Sequence, residues 1–206
     1  MKYKFVHVTK TGGSYFFHVC QQFDLPVLFK NTHEYICTNR MDYRNITIIR
    51  DPVERFVSAY NQYLHGTCSW PKDQQDSILT MDNILDMIHS NTLHPDLLSS
   101  KFIYPHHFKK QTSWVKPSHG RNTVLVYYSN KLSREIQELC DFLEFDVGTL
   151  DDVRVNYPTK REFMTDSLPQ KTKNKINFVY KHDCDLFYNI DRNRKAFYKV
   201  IGDTNE

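Results

Sequence analysis

The chain has 206 residues, of which 40% are hydrophobic and 14% aromatic, and its 27 Lys and Arg against 24 Asp and Glu give a formal net charge of +3. That length and apolar content suit one α/β core spanning residues 1–206 and exclude a disordered chain, while so mild a charge gives no sign of a nucleic-acid partner. No stretch reaches the about 18 consecutive apolar residues of a membrane helix, no charged-then-apolar leader precedes Lys4, and no repeat or low-complexity linker marks a domain boundary.

Residues 4–8 read as a short strand with apolar Phe5, Val6 and Val8, and the helix that follows presents Phe16, Phe17, Val19, Cys20 and Phe23 at helical spacing. Between them lies Thr9-Lys10-Thr11-Gly12-Gly13-Ser14. Gly12 and Gly13 allow positive φ and close approach of a ligand, Lys10 brings charge, and the hydroxyls of Thr11 and Ser14 bring hydrogen bonds. The first amides of the following helix have no intrahelical partner, so the turn is an anion site. A Walker A loop ends in Gly-Lys-Ser/Thr, whereas here the lysine precedes the glycines, which disfavours an ordinary ATP or GTP loop. Taken alone, the string is equally a plain turn and helix cap.

Residues 26–30 read as a second strand, and Asn31-Thr32-His33-Glu34 emerges at its end. Residues 46–49 are a continuous apolar run, the pattern of a strand covered on both faces. Arg50 ends that strand, and Pro52 stands at the first helical position. The helix then carries an apolar stripe of Val53, Phe56, Val57, Tyr60 and Leu64, leaving Glu54, Arg55 and Ser58 elsewhere on the helix. An arginine fork at Arg50 and a hydroxyl at Ser58, about two turns into the helix, suit a phosphate monoester. The competing reading is a solvated Arg50–Asp51 ion pair with Ser58 as a small packing residue.

Further along, Thr80 caps a helix whose Met81, Ile84, Leu85 and Ile88 face inward. Residues 124–128 form a late strand and residues 132–143 a helix with Leu132, Ile136, Leu139, Cys140 and Leu143 on one side. Pro169 opens a last long helix that buries Ile176, Val179, Tyr180 and Phe187. The resulting fold is α/β, a P-loop-like parallel sheet with helices on both faces. In such sheets ligands sit beyond the carboxyl ends of the strands, where both anion turns and His33 emerge.

The five cysteines are widely spaced and contain no Cys-x-x-Cys, which disfavours a zinc ribbon or a dense disulfide framework. Cys20 and Cys140 fall on apolar helical stripes as small core residues. His106 and His107, with His94 and His119 further off, fit no familiar zinc spacing, and His182-Asp183-Cys184-Asp185 points neighbours to different helix faces, so no metal is expected. Of the basic clusters, Lys109-Lys110 and Lys160-Arg161 are candidates to meet an anion, while residues 171–175 read as a solvated face. Asn45-Ile46-Thr47 is formally a glycosylation sequon, but it opens a strand expected to be buried.

Taken as a pair at this order and spacing, Thr9-Lys10-Thr11-Gly12-Gly13-Ser14 and Arg50-Asp51-Pro52-Val53-Glu54-Arg55-Phe56-Val57-Ser58 resemble the PAPS-dependent sulfotransferases. The likeness is greatest to the branch that sulfates polysaccharides and includes the heparan sulfate 2-O-sulfotransferases. In that family a Pro-Lys-Thr-Gly-Gly-Thr/Ser turn holds the 5′-phosphosulfate and an Arg-Asp-Pro-x-Glu-Arg-x-x-Ser stretch holds the 3′-phosphate. Thr9 replaces the usual proline, a change expected to alter loop stiffness more than chemistry. Looser likeness continues through residues 124–143 and 180–188.

The resemblance implies PAPS as sulfuryl donor, held by Lys10, Thr11, Gly12, Gly13, Ser14, Arg50 and Ser58. Lys160 and Arg161 match a basic loop that folds over the nucleotide in that family. A carbohydrate hydroxyl is the implied acceptor, His33 the implied general base, with Glu34 as the alternative, and Lys10 the residue that stabilises the leaving group. Trp70 and Trp114 either stack on a sugar ring or belong to the core. Family members of animals are anchored in the Golgi membrane, so this chain is expected to be soluble, cytoplasmic if full length and Golgi-luminal if trimmed. Two other functions stay open: a P-loop kinase for a small molecule or nucleotide, and an inactive relative that binds nucleotide or glycan.

Overall fold

In the computed structural model, residues 2–29, 43–65, 78–92, 105–114, 123–128, 132–150, 162–188 and 198–201 are described. They belong to two compact units.

The first unit comprises Met1–Arg50, Gln111–Tyr157 and Asp185–Glu206. Its centre is a five-stranded sheet, β1 (Lys2–Phe5), β2 (Val27–Phe29), β3 (Tyr43–Arg50), β4 (Thr123–Tyr128) and β5 (Tyr198–Ile201), in the order β2-β1-β3-β4-β5 with every pairing parallel. Helices α1 (Gly13–Gln22) and α4 (Leu132–Phe142) cover one face. There Ile46 and Ile48 of β3 and Val124 and Val126 of β4 meet Phe16, Val19 and Cys20 of α1 and Ile136, Leu139 and Cys140 of α4. The alternate residues Ile49 and Leu125 turn to the other face, against Trp114 and against Leu186 and Phe187 of α6 (Lys181–Tyr188). Both faces of β3 are therefore buried, which is why its sequence is an unbroken apolar run rather than an alternation. The expected parallel α/β architecture with helices on both faces holds.

The second unit comprises Asp51–Lys110 and Pro158–Cys184. Its core gathers Val53, Phe56, Val57 and Tyr60 of α2 (Pro52–His65), Ile84 and Leu85 of α3 (Met81–His89), Ile176 and Val179 of α5 (Gln170–Val179), and Phe108. Thr80 caps α3 as expected, its hydroxyl accepting from the Asn83 amide at 3.2 Å in a reciprocal capping box.

Three local readings change. The first strand stops at Phe5 rather than Val8, because the Val8 amide donates to the Val6 carbonyl at 3.1 Å and turns the chain out of the ladder. The last helix is two, α5 and α6, broken at Tyr180 with φ −101° and ψ 27°. There a fully buried side chain donates its hydroxyl to the Phe108 carbonyl. β5 has no counterpart in the sequence reading. Its four residues, Tyr-Lys-Val-Ile, are too short an alternation to announce a strand without β4 beside them.

Candidate active site

β1 pairs with β3 only as far as Phe5↔Ile46, while β3 runs on to Arg50. Beyond that register the Val6 amide still donates to the Ile46 carbonyl at 2.8 Å, and the Thr47 hydroxyl donates to the Val6 carbonyl at 2.9 Å. The chain then leaves the sheet and forms a loop at the carboxyl end of the strands.

Lys10 and Gly12 both have left-handed backbone, φ 65° and φ 85°, on either side of Thr11. Such alternation turns successive amides inward into an anion-binding concavity. Thr11 is fully buried, and its hydroxyl donates to the Val8 carbonyl at 2.7 Å, so it shapes the loop from within. Gly12 is the N-cap of α1 and supplies no side-chain cap, while its carbonyl accepts from Tyr15 at 3.0 Å and from Phe16 at 3.5 Å. That leaves the amides of Gly13 and Ser14 at the helix positions that lack intrahelical partners, with the positive end of the helix dipole behind them.

Gly13 is required by packing. A Cβ there would lie 2.3 Å from Cδ2 and 2.6 Å from Nε2 of His7, whose ring stacks on Phe5 at 5.7 Å between centroids. His7 therefore fixes how close the start of α1 lies to β1.

Arg50 stands at the carboxyl end of β3, half-buried like Lys10. Its Nη1 reaches the Lys10 carbonyl at 3.5 Å, so within the first unit the end of β3 meets the Lys10 loop. Its backbone is gripped by Gln111, whose Oε1 accepts from the Arg50 amide at 2.9 Å and whose Nε2 donates to the Arg50 carbonyl at 2.8 Å.

Ser58 lies half-buried on α2, in the other unit. At the start of that helix the Asp51 carboxylate accepts from the Glu54 amide at 2.9 Å, an N-cap rather than only a solvated ion-pair partner for Arg50. Arg55, placed off the apolar stripe by the sequence pattern, is 1% exposed. Its Nη2 donates to the carbonyls of His107 at 3.2 Å and Lys109 at 2.7 Å. His33, Glu34, Lys160, Arg161 and Trp70 lie outside the described residues. Trp114 is a core residue, 3% exposed between Ile49 and Leu125. Among the described residues no group of three His, Cys, Asp or Glu side chains converges as a metal site, and no helix is long and apolar enough to cross a membrane.

His7, Gln111 and Arg55 are the structural partners that sequence reasoning missed. Only Arg55 carried a signal: Ala59, one helical turn on, is an apolar residue off the stripe that begins at Val53, and the structure buries both.

A protein-family model described as the sulfotransferase family matches residues 16–189, most of the chain. The chain belongs to the sulfotransferase family. No curated protein matches it significantly. The sulfotransferase match supports an enzyme that transfers sulfate, and it begins beyond Ser14, so the loop of Lys10 to Ser14 stands on its own geometry. That geometry suits a sulfotransferase: a cationic turn at the N-terminus of α1, with a second cation from β3 against it.

Proposed function

We propose that this sulfotransferase moves the sulfuryl group of PAPS to a hydroxyl of a carbohydrate acceptor, as in the polysaccharide-sulfating branch. The observation that carries the reading is the contact of the Arg50 guanidinium with the Lys10 carbonyl at 3.5 Å, which unites two cationic segments at one sheet edge. A donor with charge at both its 5′ and 3′ ends needs two such segments, whereas a nucleoside triphosphate concentrates its charge at one.

The donor supplies a sulfuryl group on a phosphosulfate anhydride. In this reading Lys10 and the amides of Gly12, Gly13 and Ser14 hold the 5′ end, with Thr11 locking the loop. Arg50 takes the 3′-phosphate, and the family resemblance adds Ser58, Lys160 and Arg161 as donor-binding residues. The acceptor oxygen forms its bond to sulfur as the bond from sulfur to the bridging oxygen breaks. The electron pair stays on the departing 3′-phosphoadenosine 5′-phosphate, PAP, where Lys10 meets the growing charge. The acceptor proton goes to His33, an imidazole suited to neutral pH, with Glu34 as the other candidate base. A sulfuryl group carries less charge than a phosphoryl group, so fixed cations and amides serve here without a metal.

Calorimetric titration with PAP and with ATP, each with and without magnesium, tests this reading. PAP is expected to bind at least tenfold more tightly than ATP, with no dependence on magnesium. Tighter, magnesium-dependent binding of ATP would overturn the donor assignment and favour the kinase reading.

A further inference from the structure

We propose that Gln111 is a positioning residue that sets Arg50 for the 3′-phosphate, an inference that rests on the donor assignment above. In a parallel strand the amide and carbonyl of alternate residues point to alternate edges. The Ile46 carbonyl accepts from Val6 on the β1 side, so Ile48 and Arg50, two and four residues on, also turn toward β1. By Arg50, however, β1 has already left the sheet to form the Lys10 loop. The Gln111 carboxamide stands where that strand would have been. It offers an acceptor to the Arg50 amide at 2.9 Å and a donor to the Arg50 carbonyl at 2.8 Å, and it is fully buried.

One side chain thus stands in for a strand at the last residue of β3, beside the Lys10 loop. The replacement fixes the backbone of Arg50 while leaving its guanidinium directed at the loop, 3.5 Å from the Lys10 carbonyl. Gln111 itself begins a short 3-10 turn, Gln111–Ser113, closed by the Trp114 amide donating to its carbonyl at 2.8 Å. Trp114 is in turn packed against Val6, Val8 and Ile49. The glutamine is therefore anchored both to β3 and to the chain that runs on from β1. A carboxamide is the side chain that fits, since the site needs one acceptor and one donor in a plane.

The test separates the 3′-phosphate from the rest of the nucleotide. PAP and 5′-AMP differ only in that group, and thermal-shift titration reads the affinity of both into the millimolar range. In Gln111→Met, which keeps the volume and loses both hydrogen bonds, the preference for PAP over 5′-AMP should fall about tenfold while 5′-AMP affinity stays within about twofold. Gln111→Glu keeps the acceptor and loses the amide donor, so its preference should fall about threefold; it carries the test if Gln111→Met shows no melting transition. Equal loss of both affinities, or an unchanged preference, overturns the role of Gln111. Arg50→Ala is the arm that reports on the donor assignment. If it abolishes the preference and the Gln111 variants do not, Gln111 alone is misassigned. If Arg50→Ala leaves the preference intact, the assignment of the 3′-phosphate to Arg50 fails, and the role of Gln111 with it.

Discussion

At position 13 only a hydrogen fits. The His7 ring occupies the space a methyl group would need, and stacking on Phe5 limits how far it can retreat. Gly13→Ala should therefore cost about 1–3 kcal/mol of stability by overpacking. His7→Ala in the same chain should return much of it, a coupling of about 0.5–3 kcal/mol in a double-mutant cycle read by urea denaturation. Additive losses would show that the ring does not set this distance. The turn from β1 into α1 was legible because a glycine pair follows a short apolar run and precedes an amphipathic one. The His7 contact was not, since it depends on a ring placement that no local spacing reports. Thr11 shows the same limit in reverse: its hydroxyl was read as aimed at a ligand, and it donates to the Val8 carbonyl instead.

Among the elements, α2 carries the clearest consequence. Arg55 spans from this helix to the main chain around Phe108, holding the carbonyls on either side of it, while the Tyr180 hydroxyl takes the carbonyl of Phe108 itself. Burial pushes the Tyr180 hydroxyl well above its ordinary range, with the Arg55 charge pulling it down and the Asp183 charge pushing it up. Replacing Arg55 by Met leaves two carbonyls without their donor, and the expected loss is about 3 kcal/mol in a thermal or urea melt. Arg55→Lys should recover part of it; a Met variant as stable as the parent would contradict the strapping role. Helix α2 itself was legible from Pro52 and the stripe that starts at Val53, as was α3 from its Thr80 cap. The break between α5 and α6 was not, because it follows from what Tyr180 reaches 72 residues away.

Across the whole molecule, buried acids make the fold sensitive to alkali. Burial, with a smaller contribution from Asp141, lifts the Cys140 thiol from 9.0 to about 12. Burial, aided by Tyr63 and Glu162, lifts the Tyr60 hydroxyl from 10.0 to about 12. Cys20 is raised as well, by burial and by Cys140 beside it. In the unfolded chain these groups release protons from about pH 9 upward while the folded chain retains them. The unfolded state then binds fewer protons, so stability is full below pH 9 and falls as pH rises from about 9 to 12. Urea midpoints at pH 8, 9.5 and 11 should decline in that order, and Cys20→Ala with Cys140→Ala should flatten the slope; equal midpoints would refute the assignment.

At this scale the parallel sheet was legible because apolar runs alternate with amphipathic helices, and the family likeness because two motifs stand in a fixed order. The fifth strand and the Gln111 bridge needed tertiary pairing to become visible, since the glutamine lies 61 residues from the arginine it holds.

The most direct measurement is transfer of radiolabelled sulfuryl from PAPS across a panel of saccharide acceptors, comparing the parent with Lys10→Ala. Label on a saccharide hydroxyl, falling about 10²–10³-fold in the variant, is the predicted result. A parent that binds PAP yet labels no acceptor, or a variant that transfers as fast as the parent, would contradict the account.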